Sequence, residues 1–262
     1  MIPKIIHYCW FGYNQKSNMA EKCIASWKKY CPDYEIIEWN EKNFDISSAP
    51  LYVRQAYDAK KWAFATDYIR LWIIYNYGGI YLDTDVELIK PLDSLLEHSG
   101  FIGRQPGYQV NTGAGFGACA KHPGIKEMLD DYENIPFIKV DGTMDLLTCP
   151  HRNSLHLIDN GLLLDDSYQE ITDMVIYPVE YFSPMDAYSR ELKVSKNTYS
   201  IHHCEASWNP NETKAIKRKR YWVFKMKRDV DYLLHTPNRV LMKLLGNQRY
   251  EELKKKLKGS EL

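Results

Sequence analysis

Hydrophobic residues recur at helical spacing over residues 56–77, and the pattern stops at a pair of glycines. The first of them, Gly78, stands where a helix needs a C-terminal residue of positive φ. The apolar residues 80–82 then predict a short buried strand that ends at Asp83 and Asp85. Residues i and i+2 of an extended segment point to the same face, so we expect the two carboxylates to project together, as a shared hard cation requires.

Strands and helices alternate through the first 120 residues. The further predicted elements are an opening strand within 2–12, an amphipathic helix at 17–30, a strand at 34–39, a short helix at 93–96 and strands at 101–103 and 113–117. This alternation is typical of an α/β domain with a mostly parallel central sheet. Ligands of such sheets bind at the carboxyl ends of the strands, where Asp83 and Asp85 are placed.

Two charged residues lie inside the strongly apolar helix. Asp67 and Arg70 are three positions apart and therefore neighbours on one helical face. A solvated surface ion pair is one interpretation of this spacing. The apolar surroundings favour a second one, in which the pair is buried together or faces a polar cavity.

The pieces form an ordered set in the chain: Asp67, Arg70, Gly78, Gly79, Tyr81, Asp83 and Asp85. In this order they resemble glycosyltransferase family 32, the DXD group that includes alpha-1,6-mannosyltransferases and capsular polysaccharide enzymes. A more distant similarity is to the glucosylating domain of the large clostridial toxins. The resemblance covers most of residues 1–210 and implies a single GT-A type nucleotide-sugar-binding domain with a mostly parallel sheet.

The resemblance extends to both ends of that domain. It implies that Trp10, after the opening strand, stacks on the nucleotide base, and that Trp208 lies on a loop that closes over the diphosphate. On an extended segment His202 and His203 face opposite ways, so only one can reach a metal ion. The resemblance implies a ligand about five residues before Trp208, which favours His203. Asn111, before the glycine-rich strand, is a candidate sugar contact.

These implications define a reaction and its residues. The implied activity is metal-dependent transfer of a hexose, with retention, from a nucleotide sugar, UDP-linked by preference, to a glycan acceptor in cell-surface polysaccharide synthesis. The candidate catalytic set is Asp67, Arg70, Asp83 and Asp85, the nucleotide-sugar set is Trp10, Asp67, Arg70, Tyr81, Asp83, Asn111 and Trp208, and the ligands of Mn²⁺ or Mg²⁺ are Asp83, Asp85 and His203.

Two other functions fit parts of the pattern. A metal-dependent phosphatase or phosphotransferase of the haloacid dehalogenase type also has Asp-x-Asp after an apolar strand. Its signature continues with a small hydroxyl residue or Val where this chain has Glu87, and it follows the first strand of the fold. A sugar-nucleotide-binding module without catalysis is the second alternative, against which the intact acidic pair speaks.

Composition is consistent with one α/β domain plus an extension. The chain has 262 residues, and its six cysteines form no Cys-x-x-Cys pair, which favours a reduced, cytoplasmic protein. We expect no signal peptide and no membrane-spanning helix, because the N-terminal residues lead directly into the first strand and no apolar run reaches about 18 residues.

The net charge of zero conceals an uneven distribution. Residues 1–210 hold 19 basic and 28 acidic residues, whereas residues 211–262 hold 15 basic and 6 acidic ones. Basic and large apolar residues interleave from Lys214 onward, which predicts a helical extension that lies on an anionic membrane surface, at the inner face of the membrane. A solvated helical face packed on the domain is the alternative. The acidic body argues against a nucleic-acid partner.

Overall fold

The structure, a computed structural model, describes residues 1–187 and 189–204. The expected nucleotide-sugar contact Trp208 and the expected basic extension at 211–262 lie outside the described residues.

The described residues form six helices and nine strands. The helices are α1 Asn18–Tyr30, α2 Leu51–Asp58, α3 Trp62–Tyr77, α4 Pro123–Glu133, α5 Cys149–Asp159 and α6 Val179–Phe182. The strands are β1 Ile5–Cys9, β2 Glu35–Trp39, β3 Gly79–Tyr81, β4 Val86–Leu88, β5 Gly100–Gly103, β6 Phe116–Ala118, β7 Gln169–Ile171, β8 Met174–Tyr177 and β9 Ser200–His202. Short 3₁₀ turns occur at Ile46–Ser48 and Asp93–Leu95.

Within the described residues, seven strands form one sheet in the order β2-β1-β3-β6-β5-β8-β7. β1 pairs in parallel with β2 and β3, and β5 pairs in parallel with β8, whereas β6 and β7 run in the opposite direction. Five of these seven strands therefore run one way, and their carboxyl ends share one edge of the sheet. The predicted mixed α/β class with a mostly parallel sheet is confirmed.

The sheet separates two hydrophobic clusters. Successive strand residues face opposite sides, so Tyr81 belongs to one cluster while Ile80 and Leu82 belong to the other. Helix α1 brings Trp27 to the side of Ile80, and α3 brings Ile69 to the side of Tyr81. The sheet is thus covered on both faces, and its strand ends remain available for a site.

The glycine pair after α3 behaves as its position predicts. Gly78 ends the helix at φ 68°, and its N–H donates to the carbonyl of Ile74. Gly79 has φ 98°, and a Cβ on it would lie 2.8 Å from the carbonyl oxygen of Ile5 on β1. Both a positive φ and close packing against β1 therefore require glycine here.

The helix predicted at 56–77 is wrong at its N-terminal end. Two helices replace it, because α2 ends at Asp58 and α3 begins at Trp62. Between them Lys60 adopts φ 56°, which breaks the helical geometry. Apolar periodicity continues across this break, so the sequence pattern alone gave no sign of it.

None of the helices in residues 1–187 and 189–204 combines the length and the apolar character needed to cross a membrane.

Candidate functional site

Arg70 lies between two carboxylates at the carboxyl edge of the sheet. Its Nη2 is 3.2 Å from Asp67 Oδ1 and 3.3 Å from Asp83 Oδ1, and its Nη1 donates to Asp83 Oδ2 at 3.4 Å. Asp67 and Arg70 are buried, with 7% and 4% of their surfaces exposed. The buried form of the predicted pair is therefore confirmed, and Arg70 joins the helix to the acidic turn after β3.

The guanidinium of Arg70 is held in one orientation by its surroundings. Its Nε donates to the carbonyl of Thr66 at 3.1 Å, and its Cζ lies 5.1 Å from the centre of the Tyr81 ring. The Tyr81 hydroxyl donates to Asp83 Oδ1 at 3.2 Å. Tyr81 thus contacts both charged partners, and this part of the site is preorganised.

Burial affects the two members of the Asp67–Arg70 pair differently. It raises the pKa of Asp67 to about 6, although the charge of Arg70 and a hydrogen bond from Cys149 act in the opposite direction. Burial acts to lower the pKa of Arg70, but Asp83 and its other neighbours hold that pKa well above the ordinary value. Arg70 therefore stays charged, and its charge is shared between two carboxylates.

Asp83 and Asp85 come together through a turn. The N–H of Val86 donates to the carbonyl of Asp83 at 3.0 Å, which closes residues 83–86 into a turn between β3 and β4. The expected extended segment is therefore wrong, although the two carboxylates do lie near each other. Tight turning, and not strand alternation, brings them to one place.

A histidine from the far end of the described chain joins this turn. β9 pairs with β4 so that His202 stands opposite Val86, and His202 Nε2 lies 3.4 Å from Asp85 Oδ1. One ligand atom from each of Asp83, Asp85 and His202 lies within 4.8 Å of the others. Two carboxylate oxygens and one imidazole nitrogen fit a divalent cation such as Mn²⁺ or Mg²⁺, and three protein ligands leave coordination positions of a six-coordinate ion for a substrate.

The two neighbouring histidines contact different carboxylates. His203 Nε2 lies 2.9 Å from Glu87 Oε2, whereas His202 Nε2 lies near Asp85, and His203 is absent from the group of candidate ligands among the described residues. The geometry therefore favours His202 over the expected His203 as a metal ligand. The sequence-based preference used the spacing to Trp208, whereas the β4–β9 register is what places His202 beside Asp85.

Trp10 follows β1 at the edge of the sheet that also carries Asp83. Its ring is partly buried, and its Nε1 donates to the carbonyl of Asn14 at 2.7 Å. The Nζ of Lys16 lies 5.9 Å from the ring centre. This position at the ends of β1 and β3 is compatible with stacking on a base, which stays a prediction.

Asn111 shapes the loop before β6. Its Oδ1 accepts from the N–H of Gly113 at 2.8 Å, and its Nδ2 donates to Gln105 at 3.0 Å. Gly113 in turn lies against the acidic turn, because its carbonyl accepts from the N–H of Asp83 at 3.0 Å. The expected contact of Asn111 with a sugar stays a prediction, and its observed contacts position Gly113.

Two residues that contact Asp83 or Arg70 were not predicted from the sequence. A Cβ on Gly113 would lie 2.1 Å from Asp83 Oδ2, so only glycine fits there without displacement. Cys149, the first residue of α5, places its Sγ 3.9 Å from Arg70 Nη1 and 3.7 Å from Thr112 Oγ1. The alternating glycines at 113–117 were a signal for the first, but no local pattern marked Cys149.

The part of the chain that contains Asp67, Arg70, Asp83 and Asp85 is similar in sequence to known proteins. Residues 17–102 match the family model described as "Glycosyltransferase sugar-binding region containing DXD motif". This range includes Asp67, Arg70, Asp83 and Asp85. The sequence motif and the buried geometry therefore coincide in one segment.

Curated relatives bear names of glycosyltransferases. Inositol phosphoceramide mannosyltransferase 3 of Schizosaccharomyces pombe is 32% identical over 145 residues, which is 52% of this chain and 38% of that protein. Inositol phosphoceramide mannosyltransferase 2 of the same organism is 24% identical over 231 residues, 82% of this chain and 61% of that protein. Human alpha-1,4-N-acetylglucosaminyltransferase is 26% identical over 147 residues, which is 55% of this chain and 39% of that protein. The chain thus spans less than two thirds of each of these relatives.

A solved structure titled "PaToxG Glycosyltransferase" is similar with a TM-score of 0.49 and 22% identity, over 60% of this chain and 68% of that one. A glycosyltransferase involved in glycosylation of the major capsid of PBCV-1 gives a TM-score of 0.44 and 15% identity, over 86% of this chain and 100% of that one.

Proposed function

We propose that this chain is a metal-dependent glycosyltransferase that moves a hexose from a nucleotide-sugar donor to a glycan or lipid-linked acceptor. The proposal rests on the side chains around Arg70. Arg70 is buried and paired with both Asp67 and Asp83, and it lies beside the candidate metal ligands Asp83, Asp85 and His202. Asp67, Arg70, Asp83 and Asp85 fall within the segment that matches the DXD sugar-binding region, whereas His202 lies outside it.

The reaction explains why these residue types are needed. Transfer breaks the anomeric C–O bond to the diphosphate and forms a new bond to the acceptor oxygen, while the acceptor proton passes to the released diphosphate. Negative charge grows on the leaving group as the sugar becomes oxocarbenium-like. A divalent cation held by Asp83, Asp85 and His202 would supply Lewis-acid stabilisation of that charge.

The buried Asp67–Arg70 pair is suited to binding the donor sugar. Under this proposal Asp67 accepts from a sugar hydroxyl, and Arg70, fixed by Thr66 and Tyr81, donates to the sugar or to the leaving group. Retention of anomeric configuration is proposed from the resemblance to glycosyltransferase family 32, and a retaining transfer requires no strong general base among these residues.

Donor identity is best tested by hydrolysis of a panel of UDP- and GDP-linked sugars. We favour a UDP-hexose, and the panel must include mannose and N-acetylglucosamine because the relatives' names contain these sugars. Turnover should require Mn²⁺ or Mg²⁺ and stop with EDTA. Hydrolysis of simple phosphomonoesters instead would identify the phosphatase alternative, and no turnover of any donor would favour the binding module.

Asp85→Asn tests the metal assignment within this proposal. The substitution removes ligand charge but keeps the size of the side chain, so we expect lost donor turnover in a protein that still folds, as a thermal melt would show. Turnover at the parent rate would reject the assignment of Asp85.

We further propose that the acceptor is lipid-linked and that the enzyme acts at the cytoplasmic face of a membrane. The support is the excess of basic residues in 211–262 and the names of the mannosyltransferase relatives, which contain a ceramide lipid. Co-sedimentation with anionic vesicles, compared at low and high salt, tests this placement, and equal absence of binding at both salts would contradict it.

A further inference from the structure

The proposed metal ligand His202 is delivered by a very short strand. β9 has three residues and is held by its antiparallel pairing with β4, in which His202 faces Val86. The next residue, His203, contacts the turn formed by residues 83–86, because its N–H donates to the carbonyl of Asp85 at 2.9 Å. The position of His202 therefore depends on how firmly His203 is held.

His203 is fixed from three directions. Besides its bond to Asp85, its carbonyl accepts from Arg190 Nη1, and its Nε2 lies 2.9 Å from Glu87 Oε2. The side chains of Glu87 and His203 are only 21% and 11% exposed. A contact with this little access to water restricts the His203 ring, and with it the peptide that carries His202.

Glu87 is itself anchored to α1. Lys22 Nζ lies 2.7 Å from the same oxygen, Glu87 Oε2, that contacts His203. On either side of Glu87, Trp27 Nε1 donates to the carbonyl of Val86 at 2.7 Å, and the N–H of Leu88 donates to Ser26 Oγ at 2.9 Å. β4 is thus fixed to a helix, and the Glu87 carboxylate connects that rigid unit to β9.

We propose that Glu87 is a positioning residue for the metal site, which aims His202 at the cation by holding His203. This inference rests on the metal site of the proposed function. Glu87 is outside the group of candidate ligands in the described chain, so it acts through its contact with His203. Groups hydrogen-bonded directly to metal ligands typically change metal affinity or activity by about 10- to 100-fold when they are removed. Glu87 acts through the residue next to the ligand, so we expect the lower end of this range.

The test is the Mn²⁺ dissociation constant, measured by electron paramagnetic resonance of free Mn²⁺ in the full-length protein without donor. Glu87→Ala should raise this constant by about 10-fold, the lower end of the range for groups bonded directly to metal ligands. Glu87→Gln should stay close to the parent value, because one amide oxygen can accept from both Lys22 and His203 as Oε2 does now. Glu127→Ala is the matched control, since it breaks a similar Glu–His contact, 3.0 Å to His156, between α4 and α5.

Each result has a separate meaning. A parent-like constant for Glu87→Ala overturns the inference, and equal weakening by Glu87→Gln overturns it too, because charge and not position would then be what Glu87 contributes. If Glu87→Ala does not fold, His203→Ala breaks the same contact from the other side and should give the same loss, and a parent-like constant there again overturns the inference. Absence of Mn²⁺ binding by the parent protein would instead reject the metal site of the proposed function.

Discussion

Gly113→Ala should damage the site without changing any charged or ligating group. The new Cβ would lie 2.1 Å from Asp83 Oδ2 and 2.8 Å from Arg70 Nη1, whereas ordinary contact begins at 3.4 Å. The difference of 1.3 Å must be absorbed by the Asp83 carboxylate or by the glycine loop. The loop resists, because the carbonyl of Gly113 is bonded to the N–H of Asp83 and its own N–H is bonded to Asn111. Displacement of Asp83 is therefore the expected response.

A misplacement of about 1 Å costs on the order of 100-fold in rate, so kcat/KM for donor hydrolysis should fall about 100-fold, or about 2.7 kcal/mol. The assay is metal-dependent hydrolysis beside a thermal melt. Gly100→Ala is the control, because its Cβ would also be tight, 3.0 Å from His122, but at the opposite end of the strands. Unchanged kcat/KM in folded Gly113→Ala would refute the reasoning, as would an equal loss in Gly100→Ala.

Two further substitutions test individual side chains. The pKa of Asp67 is raised from 3.8 to about 6 in the folded protein, so ionising this carboxyl lowers stability as the pH rises from about 4 through 6, and the folded state is favoured below that range. Asp67→Asn removes this cost. The free energy of unfolding of the variant, relative to the parent, should therefore rise by up to about 3 kcal/mol between pH 4 and pH 7. A difference between variant and parent that is the same at both pH values in denaturant unfolding would contradict the raised pKa of Asp67. Trp10→Ala should raise the donor KM about 10- to 100-fold if its ring stacks on the base, and a loss of stability with unchanged KM would make it a core residue.

The local part of the site could be predicted from the sequence. Asp67 and Arg70 are three residues apart on one helix, so helical geometry alone makes them neighbours, and the apolar residues around them indicate burial. The glycine that ends α3 is also a local signal, because many helices end at a residue of positive φ, which glycine adopts without steric cost. Such features depend on a few consecutive residues.

The long-range part could not be predicted. His202 reaches Asp85 only through the β4–β9 register, in which residues more than 100 positions apart face each other. Cys149 reaches Arg70 because α5 begins beside α3, across 79 positions of chain. Even the acidic pair was brought together by a turn that a period-2 pattern does not describe. Pairing and packing decide these contacts, and neither is encoded in a local period.

The charges of the described site give a physical reason for its expected metal dependence. Asp67, Asp83 and Asp85 are the acidic side chains of the site, and Arg70 and His202 are the basic ones. Burial acts to lower the pKa of His202, but Cys204 and Asp85 hold that pKa well above its ordinary value. Without a metal ion the site is therefore negative by one charge, which disfavours the diphosphate of a nucleotide sugar. A divalent cation would remove this excess and add favourable contacts to phosphate oxygens. Metal removal should therefore weaken donor binding itself, and calorimetry that shows equal donor affinity with Mn²⁺ and with EDTA would exclude this electrostatic explanation.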